Sequence, residues 1–293
     1  MNKIELVEVS ARDGLQNEPR VLATSDKVEL VRRAIGAGAR RLEVASFVHP
    51  AKVPQMADAE AVIAALPSNA ARYIGLVLNK RGALRAFDTA IDEIGVVCAA
   101  SDTFGMRNQG LDTEQSLAMA CEVLALCRAQ GRPGQVTIAV AFGCPFEGAV
   151  DPGKVVAMAR RIAAAGAIEV AIADTIGIAR PNEVERLAAD VAAAIAPLPL
   201  RVHFHDTRGM GVANAIAAVR AGAVTVDAAI GGTGGCPFAP GAAGNVASED
   251  IAYAFDDALD IDIEQLVEAA GWLNGLLGRE RTSAIARAFA SRA

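Results

Sequence analysis

Aromatic side chains make up only 4% of this 293-residue chain, and histidine occurs three times. Packing must therefore rest on small aliphatic groups. With 53% hydrophobic residues and 27 glycines, the composition suits helices packed closely on a parallel sheet. No apolar run is long enough to cross a bilayer, and MNKIELVEV carries neither a signal core nor an Arg/Ser-rich presequence. A cytoplasmic protein with no membrane partner is expected. The formal net charge is -6 and basic residues are scattered, so there is no positive track for a phosphate backbone and nucleic acid is excluded as a partner. The five cysteines (Cys98, Cys121, Cys127, Cys144, Cys236) form no C-x-x-C pair and are odd in number, against a disulfide framework or structural zinc. Four read as small core residues, with Cys236 set apart. No G-x-G-x-x-G follows an early strand, which removes support for a dinucleotide-binding fold.

What the chain does have is a recurring punctuation, in which a helical pattern closes on Ala-Gly-Ala and a β-branched run follows. It occurs at Ala37-Gly38-Ala39, Ala165-Gly166-Ala167 and Ala221-Gly222-Ala223. Glycine just past a helix end is the usual stop signal, so these are αβ units. Apolar runs predict eight strands, at 3–9, 40–45, 72–78, 92–98, 135–142, 167–173, 201–205 and 224–230. Helices are predicted between them, among them 24–37, opened by the cap-capable Thr24, Ser25 and Asp26, and 153–165. Eight alternating units favour an α/β fold of the (β/α)8 TIM-barrel type over an open doubly wound sheet. The whole chain, 1–293, reads as one domain: a barrel over about 1–249, then a helical extension over about 250–293 that could cover an apolar face in a homodimer.

Catalytic groups of such a barrel belong at the C-terminal ends of the strands. Chemistry-bearing residues collect there: Arg12 and Asp13, Glu43 and Ser46, Asn79, Ser101 and Asp102, Asp174 and Thr175, then His203, His205 and Asp206. Polar residues at the opposite ends read as fewer and ordinary. His203 and His205 lie two apart on a strand and so share a face, a ready pair of metal ligands, although an isolated H-x-H is more often a pair of hydrogen-bonded histidines. With Asp13 and the amide oxygen of Asn245 they would form an N2O2 set suited to Mg2+ or Mn2+, while Zn2+ or Co2+ would also accept two histidines. Arg-Asp-Gly fits a turn with a local ion pair equally well. The segment Gly231–Asn245 has six glycines and two prolines in fifteen positions and reads as a hinged lid, or as a phosphate-cradling loop with an incidental thiol. Near a metal or Arg12, Cys236 would be a candidate acid/base or nucleophile.

Several motifs, in order along nearly the whole chain, resemble the 3-hydroxy-3-methylglutaryl-CoA (HMG-CoA) lyases, within a superfamily of metal-dependent barrels that includes isopropylmalate synthases. They are VEVSARDGLQNEPR, LEVASFVHPAKVPQMAD, AFGCPFEG, IADTIGIARP, HFHDTRGMGVANA and GGTGGCPFAPGAAGNVASED. The resemblance implies a TIM barrel, a divalent cation, an acyl-CoA substrate and a retro-Claisen cleavage to acetyl-CoA and acetoacetate, as used in leucine degradation and ketone-body formation. Position by position it puts metal ligands at Asp13, His203, His205 and Asn245, the catalytic arginine at Arg12, the lid cysteine at Cys236 and supporting acids at Glu43, Asp174 and Glu249. Asp13 or His203 would act as base, Arg12 would stabilise charge on the thioester oxygen, and Cys236 would protonate the enolate. The cysteine loop favours a lyase over a Claisen synthase. Arg208-Gly209-Met210 stands where animal members read Tyr-Gly-Gln, and Thr233 and Pro240 where they read Leu and Gln. These departures keep a related 3-hydroxyacyl-CoA, such as citramalyl-CoA, open as substrate. The ending Ala-Ser-Arg-Ala has no nearby thiol or peroxisomal signal, so a bacterial-type enzyme is expected.

Overall fold

In the computed structural model, which describes residues 3–235, 244–280 and 283–290, eight strands close in sequence order into a barrel. They are β1 (Glu5–Glu8), β2 (Arg41–Ser46), β3 (Arg72–Val77), β4 (Glu93–Ala99), β5 (Gly134–Ala139), β6 (Val170–Asp174), β7 (Leu200–Phe204) and β8 (Ala223–Ala228). All neighbours pair in parallel, including β1 with β8. The fold is the TIM barrel that the alternating pattern predicts.

Helices α1 (Thr24–Gly36), α2 (Ala59–Ala65), α3 (Lys80–Phe87), α4 (Asp102–Asn108), α5 (Thr113–Ala129), α6 (Pro152–Ala164), α7 (Pro181–Ile195) and α8 (Gly211–Arg220) fill the connections. Three more, α9 (Ser248–Ala254), α10 (Ile263–Leu277) and α11 (Ala284–Ala290), follow the last strand. The glycines of the three Ala-Gly-Ala stops adopt φ of 109°, 90° and 112°, conformations that side-chain-bearing residues rarely take. Each turn can thus leave a helix and enter the next strand without strain. One capping expectation fails: the residue before α1 is Ala23, with no side-chain cap. Thr24 instead donates its hydroxyl to Asp58 at 2.7 Å, tying α1 to the segment before α2. Among the described residues, no helix is long and apolar enough to cross a membrane.

Most apolar burial lies between the sheet and the helices, and Cys98, Cys127 and Cys144 belong to that core. The barrel lumen is different. Apart from a small apolar group of Val7, Val9, Ile74 and Ala229, its lower part is charged. Arg41 of β2 reaches Glu93 of β4 at 2.7 Å and Glu169 before β6 at 2.9 Å, contacts that can only run across the interior. Thr225 of β8 donates to the same Glu169 at 2.8 Å. The expectation of few, ordinary polar residues at the N-terminal ends is therefore corrected. Strand alternation turns Arg41, Glu93 and Thr225 inward, where each is only 2% exposed and so must be paired.

Candidate metal centre and active site

The site starts where β1 ends. Beyond Glu8 the chain makes a π-helical turn, Ser10–Gly14, which sets Arg12 and Asp13 at the barrel mouth. Arg12 donates through Nη1 to Asp13 Oδ1 and through Nε to Glu43 Oε1 of β2.

From the far side, β7 presents His203 and, just past its end, His205. Asp13, His203 and His205 bring one potential ligand atom each within 4.8 Å of one another, with His205 Nε2 3.8 Å from Asp13 Oδ2. Asn245 reaches the same oxygen, donating from Nδ2 at 2.8 Å, and its segment pairs with the end of β7 at His205. Among the described residues the cluster offers two imidazoles and a carboxylate, a donor set that fits a divalent cation. Three carboxylates (Asp13, Glu43, Asp227) face two guanidiniums (Arg12, Arg201) around this cavity, a formal excess of negative charge that also favours a cation. Asn245 faces Asp13 through its amide nitrogen and so orients the carboxylate.

Electrostatics follow from these contacts. Burial would raise the Asp13 carboxyl, but Arg12 and the two histidines outweigh it and hold it well below the usual carboxylate range. For His203, burial lowers the imidazolium, yet the Asp227 hydrogen bond and the nearby carboxylates leave it raised. The cavity is open to solvent and has an apolar wall of Val48, Leu76, Leu78, Val97 and Phe104 opposite the polar cluster.

Other expected site residues stand elsewhere. Asp174 ends β6, but its carboxylate accepts from the amides of Ile178 at 3.0 Å and Ala179 at 2.9 Å, shaping the following turn rather than lining the cavity. Glu249 is fully buried, accepting from the Gly231 amide at 3.1 Å and the Ser283 hydroxyl at 2.6 Å; burial raises its carboxyl to about 7. It braces the root of the glycine-rich segment. Asn79 and Ser101 cap α3 and α4, Asp102 accepts from the Thr113 amide, and Asp206 from the Gly211 amide. Cys236 and the centre of the expected lid, 236–243, lie outside the described residues.

Sequence reasoning missed Asp227, Arg201 and the structural role of Glu8. The signal was alternation: Arg201 stands two before His203, as His203 does before His205, and Asp227 is the lone carboxylate inside the β8 run. Glu8 is buried at the end of β1, accepting from the amides of Ser10 at 2.8 Å and Ile230 at 3.2 Å and from the Ser248 hydroxyl at 2.5 Å.

Comparison with known proteins agrees with this arrangement. Residues 3–270 match the HMGL-like family model. The (R)-citramalyl-CoA lyase of Chloroflexus aurantiacus is 39% identical over 98% of this chain and 95% of that protein. The solved hydroxymethylglutaryl-CoA lyase of Pseudomonas aeruginosa superposes with a TM-score of 0.94 at 37% identity, covering 100% of this chain and 99% of that one. An HMG-CoA lyase of Acinetobacter baumannii, solved with coenzyme A and 3-methylmalate, gives a TM-score of 0.92 at 36% identity, covering 98% and 95%. The chain belongs to the HMGL-like family and is a carbon–carbon lyase.

Proposed function

We propose that this lyase cleaves (S)-3-hydroxy-3-methylglutaryl-CoA to acetyl-CoA and acetoacetate with the help of Mg2+ or Mn2+. The observation that carries the reading is the convergence of Asp13, His203 and His205 beside Arg12, in a cavity with one polar and one apolar side. Asp13, His203 and His205 would hold the divalent cation, which would supply Lewis acidity that lowers the pKa of a substrate hydroxyl. The C3 hydroxyl proton passes to Asp13, because a His203 that gives its Nε2 lone pair to the cation and its Nδ1–H to Asp227 has none left to accept it. The C2–C3 bond then breaks, leaving the ketone of acetoacetate while the bonding pair becomes the enolate of acetyl-CoA. Arg12 is placed to stabilise the thioester oxygen: Asp13 and Glu43 hold its Nη1 and Nε, leaving Nη2 for the oxygen. Cys236 and its loop, by family resemblance, deliver the proton to C2 and exclude water.

A second reading has its own support. The Chloroflexus relative, at 39% identity, is named for citramalyl-CoA, whose cleavage yields pyruvate in place of acetoacetate. Metal-loaded protein should therefore be given each thioester, with acetyl-CoA, acetoacetate and pyruvate measured before and after chelation. Metal-dependent acetoacetate release supports the HMG-CoA reading, and pyruvate alone supports the other. No acetyl-CoA from either substrate overturns both.

A further inference from the structure

Beneath His203 lies a buried arrangement of side chains. His203 Nδ1 is 3.0 Å from Oδ2 of Asp227, on β8. Arg201, two residues before His203 on β7, grips that carboxylate from the other side. Its Nε–H donates to Oδ1 and its Nη2–H donates to Oδ2 at 2.9 Å. Arg201 is itself fixed through Nη1, which donates to Gln135 Oε1 of β5 at 2.6 Å. Asp227, Arg201 and Gln135 are each at most 3% exposed, so water does not compete for these contacts.

A neutral imidazole carries one N–H and one lone pair, and whichever nitrogen donates leaves the other as the ligand. An ionised carboxylate can only accept, so Asp227 selects the tautomer protonated at Nδ1 and leaves the lone pair of His203 on Nε2. A carboxylate behind a metal-binding histidine also fixes the ring's orientation. Asp227 cannot swing away without losing two charge-assisted bonds to Arg201. Both of its oxygens are engaged, which separates its task from that of Asp13, whose Oδ2 lies beside His205.

We propose that Asp227, oriented by Arg201, is the positioning residue that sets the tautomer and ring angle of His203 for a divalent cation. This rests on the reading of Asp13, His203 and His205 as a metal centre.

The test is Mn2+ binding to the purified full chain, read by electron paramagnetic resonance and calorimetry, with melting curves for each variant. Asp227→Ala removes the acceptor and is expected to weaken Mn2+ binding by about 10- to 100-fold. Asp227→Asn keeps a neutral oxygen acceptor for Nδ1–H and should recover most of that affinity. Both variants strip Arg201 of its counter-charge equally. Equal loss in the two would therefore mean that Asp227 serves only the barrel's charge balance, and would overturn the proposal, as would unchanged affinity in both. If Asp227→Ala does not fold, 15N spectra of the wild-type imidazoles, assigned with His203→Gln, give the answer. At a pH where metal-free His203 is neutral, protonation at Nδ1 supports the proposal, and protonation at Nε2 overturns it. Wild-type protein that binds no Mn2+ sinks the metal-centre reading itself, an outcome distinct from any difference among variants.

Discussion

Arg12 is joined to Glu43 by an Nε–H to Oε1 hydrogen bond between two side chains that lie 31 residues apart and are both buried. A guanidinium held this way cannot follow the substrate, so its charge is aimed before the reaction begins. Glu43 also lies 3.8 Å from Arg201 Nη2, and so stands between the arginine at the mouth and the one in the lumen.

From that rigidity follows the effect of Arg12→Gln. Losing one preorganised charge-stabilising donor typically lowers kcat by roughly 10²- to 10³-fold, and the ligand cluster does not include Arg12. We expect such a loss with Mn2+ affinity retained, measured separately by steady-state kinetics and calorimetry. Arg12→Lys should rescue little, because a single ammonium cannot hold Asp13 and Glu43 in the same fork geometry. Turnover equal to wild type in Arg12→Gln would remove Arg12 from its assigned role.

Glu43→Ala tests the other partner. It leaves the buried Arg12 guanidinium without its Nε acceptor, and breaking a buried ion pair from one side costs about 3–5 kcal/mol. Urea unfolding should show a loss of that order. The double variant with Arg12→Ala should be less destabilised than the sum of the singles, since each then removes a charge the other had left unpaired.

Such pairs also mark where the sequence could be read and where it could not. The strands were legible because β-branched runs end in polar residues, and because Gly38, Gly166 and Gly222 mark each helix stop. His203 and His205 could be placed on one face by their spacing alone. Direction at the strand ends was not legible. Asp174 and Asp13 are both carboxylates beyond a strand, yet the first turns to two backbone amides and the second to the cavity. The difference depends on a turn conformation that composition does not encode. Arg41 and Arg201 were overlooked because a charged residue within an apolar run looks like a strand boundary. In a closed barrel the same position can face a lumen where partners from distant strands meet.

Glu249 gives the protein a pH dependence of known sign. Burial raises its carboxyl from 4.5 to about 7, so between those values the folded state holds a proton that the unfolded state releases. Stability should fall as pH rises through this window, by about 3 kcal/mol from this group alone. Glu249→Gln keeps an acceptor for the Gly231 amide and has no charge to bury. Denaturation at pH 5 and at pH 7.5 should show a steep decline in wild type and a shallower one in the variant. Some slope will remain, because burial also raises Glu8, with the same sign. An identical slope in both proteins would show that Glu249 does not titrate in this range.

Gly177 links backbone geometry to the metal centre. Its φ is +63°, and a Cβ there would stand 2.6 Å from Thr207 Oγ1 and 2.8 Å from the carbonyl oxygen of His205. Alanine therefore meets both an unfavourable conformation and the backbone that carries one of the histidines. The strain alone costs on the order of 1–3 kcal/mol, and relief requires His205 to move. Gly110→Ala is the control, because φ is +75° there but nothing lies within 4 Å of the added carbon. Both variants should lower the melting temperature, whereas only Gly177→Ala should also weaken Mn2+ binding. If the two lose stability alike and bind Mn2+ alike, the packing of Gly177 against His205 has no part in shaping the site.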